Sequence, residues 1–106
     1  MKYEVKILPQ AWEDLSHIAD WYKLLFTADT ALKVTDNILN AIARLEKFPN
    51  SGSTTPDEWL NQRGYRMVIA DKHAAIYRFI DDSIYVYHIF DMRQDYPEIF
   101  RRLEDE

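Results

Sequence analysis

Residues 3–7 alternate, with Tyr3, Val5 and Ile7 on one side and Glu4 and Lys6 on the other, the period-two pattern of a half-buried strand. Pro9 stops that strand and suits the first turn of a helix. Trp12, Leu15, Ile18, Ala19 and Tyr22 then recur at helical spacing, predicting an amphipathic helix over residues 9–25. "TADTA" carries helix-starting residues, and Leu32, Val34, Ile38, Leu39, Ile42, Leu45 and Phe48 sustain the helical period until Pro49. So short a connection makes the two helices an antiparallel hairpin, each hiding one apolar stripe.

"PNSGSTTPDEW" breaks the periodicity and reads as a mobile, protease-sensitive surface loop, with Trp59 and Leu60 docking it back or forming an exposed anchor. Three strand-like runs follow at 64–70, 74–80 and 83–90, separated by "DKH" and "DDS". Connections this short imply an antiparallel meander, because parallel neighbours need a long crossover. The last run is apolar on both faces: Ile84, Val86 and Phe90 with His88 on one, Tyr85, Tyr87 and Ile89 on the other. A strand covered on both sides is a central one. "YPEIFRRLEDE" closes the chain as a short helix begun by Pro97, with Ile99, Phe100 and Leu103 inward. The expected fold is α+β: strand, two-helix hairpin, three-stranded antiparallel meander and short C-terminal helix, with the helices against one face of the sheet.

Composition narrows this picture. At 106 residues the chain suits one domain, and 47% hydrophobic residues with seven Tyr, five Phe and three Trp furnish a core without staples. The absence of cysteine excludes disulfides, thiolate metal sites and cysteine nucleophiles. A net charge of −5 argues against a general nucleic-acid binder, although Arg93, Arg101 and Arg102 crowd into ten residues. "MKYEVKILPQ" lacks the apolar stretch of a leader, and no segment approaches a membrane span, so the expected compartment is the cytoplasm.

Candidate chemistry concentrates in "HIFDMRQDY", residues 88–96. His88 is expected either as a partly buried, hydrogen-bonded histidine or as a general acid or base. Arg93 and Tyr96 lie past the strand end, where side chains meet ligands, and Asp91 and Asp95 are placed to orient Arg93. Tyr65, Tyr77, Tyr85 and Tyr87 with Arg78 form either a stacking platform for bases or ordinary cross-strand pairs. His17 with Asp14 and Asp20 on one helix lacks a second histidine, so it reads as a solvated face and no metal site is expected.

The segments "AIYRFIDDSIYVYHI" and "DMRQDY", within this order of elements, resemble the RelE/ParE superfamily of bacterial type II toxins. The resemblance implies a cytoplasmic toxin of a plasmid-stabilisation (addiction) type of module, neutralised by a cognate antitoxin, with no cofactor. It offers two activities: binding of DNA gyrase, as in ParE-like members, or metal-free cleavage of mRNA on the ribosome, as in RelE-like members. The RelE-like basic positions fall on Ala74, near Tyr65 and Met67 with Arg66 one place off, and on Arg93 or Gln94. The late tyrosine of that pattern falls on Phe100. A nuclease here therefore requires a rearranged site built from Arg66, Arg93, His88 and Tyr96. Target binding without nuclease chemistry would use Arg78, Tyr77, Tyr87 and Arg93. A non-toxic member that only binds a partner is the third expectation, and the oligomeric state stays open.

Overall fold

In the computed structural model, which describes residues 2–105, the alternation at the N-terminus becomes β1 (Glu4–Ile7), with Val5 and Ile7 turned toward the core. Pro9 opens α1 (Pro9–Leu25), and Thr27 caps α2 (Ala28–Ala43) by accepting a hydrogen bond from the Thr30 amide at 3.1 Å. A single 3₁₀ turn, Arg44–Glu46, extends α2. The meander forms as β3 (Arg66–Ala70), β4 (His73–Ile80) and β5 (Ser83–Asp91), followed by α4 (Tyr96–Asp105). Two small elements were not expected: β2 (Ser53–Thr54) and α3 (Glu58–Gln62).

The five strands run in the order β1-β5-β4-β3-β2, antiparallel except where β1 lies parallel to β5. The helical hairpin and the strands after it make up the long connection that this parallel pair demands. Its stripe packs on one sheet face, where Ala11, Leu15, Ile38 and Ile42 meet Ala75, Tyr77, Ile84, Val86 and Ile89. The opposite face is also covered. Leu60 of α3 and Phe100 of α4 join Tyr65, Met67, Ile76 and Phe90 in a second core, so the expectation of helices on one face only is corrected. Five-residue α3 carries too little periodicity to be read in advance. In α4, Phe100 is inward as expected, but Leu103 points to solvent.

Two further corrections follow from local chemistry. The loop expected to be mobile is stitched to the sheet. Tyr77 donates its hydroxyl proton to the Pro49 carbonyl at 2.9 Å and accepts from the Gly52 amide at 3.2 Å, while Arg66 donates to the Asn50 and Gly52 carbonyls. Strand β5 also breaks its alternation. The pairing steps from Tyr77↔Val86 to Ile76↔His88, leaving Tyr87 as the extra residue of a β-bulge. One inserted residue reverses every later side chain. Val86 and Ile89 therefore share the hairpin core, whereas His88 and Phe90 face Phe100 on the other side. The expected grouping of Val86 with His88 and Phe90 does not form.

Candidate functional site

The four residues considered for RNA cleavage are each buried or occupied, and His88 and Tyr96 lie against the same Phe90 ring. His88 is buried at the bulge, its Nδ1 3.2 Å from Asp14 Oδ2 on α1, with its ring against Phe90 and Phe100. The same Asp14 oxygen accepts the Ile89 amide at 3.0 Å. Past Val86, β1 no longer accompanies β5, and this carboxylate takes up the amide that a strand would otherwise satisfy. Tyr96 is buried at the start of α4, where its hydroxyl contacts Met67 Sδ at 3.7 Å, and burial pushes its pKa above the ordinary value. It is a neutral phenol at pH 7 and a poor base. Arg66 spends its terminal nitrogen on two loop carbonyls, and its buried Nε has no hydrogen-bond partner. Arg93 is exposed, but it forms a bidentate pair with Asp91. Hydrogen bonds from that guanidinium hold the Asp91 carboxyl down to about 2, so Asp91 does orient Arg93 and is no proton acceptor at neutral pH.

Of the residues considered for target binding, Tyr77 is corrected. Its side chain is completely buried and secures the 49–52 loop, so it offers no exposed surface. Tyr87 and Arg78 do reach the surface. Arg78 stacks on Tyr65 at 4.6 Å and on Tyr87 at 5.0 Å, and donates to the Tyr87 hydroxyl from Nη2 at 2.7 Å. The ring layer continues from Tyr65 through Phe100 to Trp59, over which Arg63 and Arg101 lie at 3.9 and 5.2 Å. Three guanidinium groups thus ride on one aromatic layer, which combines charge with stacking area.

A cleft of about 560 Å³ opens on a different part of the surface, between α1, the end of β5 and the start of α4. Ile18, Trp21 and Tyr22 of α1 form one wall, and Gln94 and Ile99 the other. Asp14, His73, Asp91 and Arg93 supply its polar groups. His73, opposite Asp91 in the sheet, is buried beside the Tyr22 ring, and desolvation lowers its pKa. Among the described residues no cluster suited to a metal ion is present, and His17 borders the cleft as an exposed side chain.

Sequence reading did not single out this cleft. His73 was taken as part of the connection "DKH", and Trp21 was not among the residues of α1's apolar stripe. One signal was legible: Asp14 sits in the apolar stripe Ala11-Leu15-Ile18-Tyr22, where a carboxylate has to find a partner.

Solved structures share this fold. A chain of the chromosomal ParDE toxin–antitoxin system from P. aeruginosa matches with a TM-score of 0.73 at 25% identity, over 85% of this chain and 96% of that one. A chain of the RelBE2 toxin–antitoxin complex from Mycobacterium tuberculosis matches with a TM-score of 0.62 at 15% identity, over 86% and 99%. Fold and element order are those of a RelE/ParE superfamily toxin. More narrowly, residues 5–96 match the model of the ParE toxin of type II toxin-antitoxin systems, parDE, and the chain belongs to that family. Among curated proteins none matches.

Proposed function

We propose that this protein is the growth-inhibiting member of a plasmid-stabilising type of toxin–antitoxin module, acting in the bacterial cytoplasm by gripping a macromolecular target such as DNA gyrase. A cognate antitoxin holds it inactive. Membership of the ParE family supports the toxin role, and similarity to chains from two toxin–antitoxin complexes supports the antitoxin partner. The observation that supports binding over RNA cleavage is that each nuclease candidate is buried or already engaged. Tyr96 and His88 are buried, Arg66 is tied to carbonyls, and Arg93 is paired with Asp91. Metal-free cleavage needs a proton acceptor, a proton donor and several cations converging on one phosphate. Arg78 and Tyr87, with Arg93 on a separate surface, are the side chains proposed to meet the target.

Inducible expression of the chain alone, with pulse labelling of DNA and protein synthesis, tests this reading. DNA synthesis is expected to fall first, the purified protein to block gyrase supercoiling, and Arg78→Ala to weaken both effects. Protein synthesis falling first, with Arg93→Ala harmless, would transfer the function to mRNA cleavage. Normal growth with soluble, folded protein would leave a non-toxic member that only binds its partner.

A further inference from the structure

We propose that the cleft between α1 and the end of β5 is a receptor for an arginine side chain carried, beside a bulky apolar residue, on a segment of a partner protein. The molecule already displays the interaction in miniature. Asp91 lines the cleft, and Arg93, two residues along the chain, folds back to fill both of its carboxylate oxygens. The Arg93 side chain is 63% exposed, so its hold rests on the ion pair and not on packing. An exposed pair of this kind is weak, and exchanging one guanidinium for another never leaves the carboxylate bare.

Three features select the guest. The aromatic wall of Trp21 and Tyr22 beside a carboxylate suits a planar guanidinium, which stacks and forks at once, better than an ammonium. Ile18, Ile89 and Ile99 supply apolar lining for a neighbouring aliphatic side chain. The charge balance is acidic as well. Asp14, engaged with His88, and Asp91 line the cleft together with Arg93, His17 and His73, and burial disfavours the charged form of His73. Release of Arg93 to solvent leaves the Asp91 carboxylate for the incoming cation, and the net charge of −5 favours approach of a basic segment. The inference does not depend on which macromolecule the toxin attacks.

The test is an amide and indole NMR titration of the whole purified chain with acetyl-Leu-Arg-Leu-amide, against acetyl-Leu-Gln-Leu-amide. The arginine peptide is expected to shift the Trp21 indole and the Ile89 and Gln94 amides, with the glutamine peptide at least about tenfold weaker. Arg93→Ala, which removes the internal competitor, is expected to bind the arginine peptide about two- to fivefold more tightly. Asp91→Asn is expected to lose about tenfold or more, with its circular dichroism unchanged. If Asp91→Asn fails to fold, the Arg93→Ala arm decides alone, because that side chain is exposed. Equal binding of both peptides, weaker binding by Arg93→Ala, or shifts confined to Trp59 and Tyr87 would overturn the proposal. So would shifts of the cleft residues that grow with protein concentration without peptide, which would give the cleft to a second copy. Growth arrest is measured separately. Arrest without peptide binding removes only the cleft assignment, and peptide binding without arrest removes only the toxin reading.

Discussion

Tyr77 shows how much one side chain controls. Its ring fills the hairpin core while its hydroxyl serves two backbone groups of the 49–52 loop. Tyr77→Phe keeps the packing but strands a buried carbonyl and amide, so it is expected to cost about 1–3 kcal/mol in urea unfolding. Gly52 is the other half of the same contact. A Cβ there would stand 2.7 Å from Tyr77 Cε1 and 2.8 Å from the Met67 carbonyl oxygen. Gly52→Ala therefore forces loop and ring apart, with an expected loss of about 1–3 kcal/mol and faster proteolysis at residues 50–57. Asp14 acts in the same way from α1. Its removal in Asp14→Ala leaves the Ile89 amide and His88 without their acceptor, and the predicted loss is about 1–3 kcal/mol.

At the scale of elements, the β4–β5 hairpin turns through Asp81 and Asp82, both at positive φ of 49° and 66°. Two such residues between paired Ile80 and Ser83 make a two-residue loop of the type that glycine and asparagine favour. Left-handed backbone costs a residue with a Cβ about 1–2 kcal/mol. The double change Asp81→Asn, Asp82→Gly is expected to raise stability by about 1 kcal/mol, read as a higher melting temperature with the same fold. A few residues further on, the bulge at Tyr87 decides which face His88 and Phe90 occupy. Without the bulge, His88 would enter the hairpin core and the aromatic layer around Phe100 would lose its place on the sheet.

Across the whole molecule, two cores lie on opposite faces of one sheet, and the cleft forms where α1 and α4 approach the same end of β5. Its titrating groups link stability to pH. His73 has a folded pKa below its ordinary 6.5 because burial disfavours its charged form. The unfolded chain therefore binds the extra proton first, and stability falls as pH drops below about 6.5. Asp91, held down to about 2 by Arg93, contributes stability that is present above 3.8 and lost as pH falls toward 2. Melting temperatures measured from pH 8 to 2 are expected to show both declines. His73→Gln removes the upper one and Arg93→Ala diminishes the lower.

Periodicity determined much of this protein directly. The strand at Val5 and Ile7, the helix from Pro9 to Leu25, the helical hairpin and the three-stranded meander were all legible, because each repeats its apolar positions over several turns or strand pairs. Asp91 beside Arg93 was legible too, being a contact between near neighbours in the chain. Short or non-local features were not. The two-residue β2 and five-residue α3 have no period to detect. The bulge is a mismatch between two strands and is invisible in either alone. Tyr77 looked like a surface aromatic until the sheet turned it inward. The cleft joins residues 14–22, 73, 89–94 and 99, and only the folded chain brings α1 against the unaccompanied edge of β5. Sequence specifies which side chains must be buried, whereas tertiary structure decides which of the remaining ones meet, because those meetings depend on strand register and helix placement.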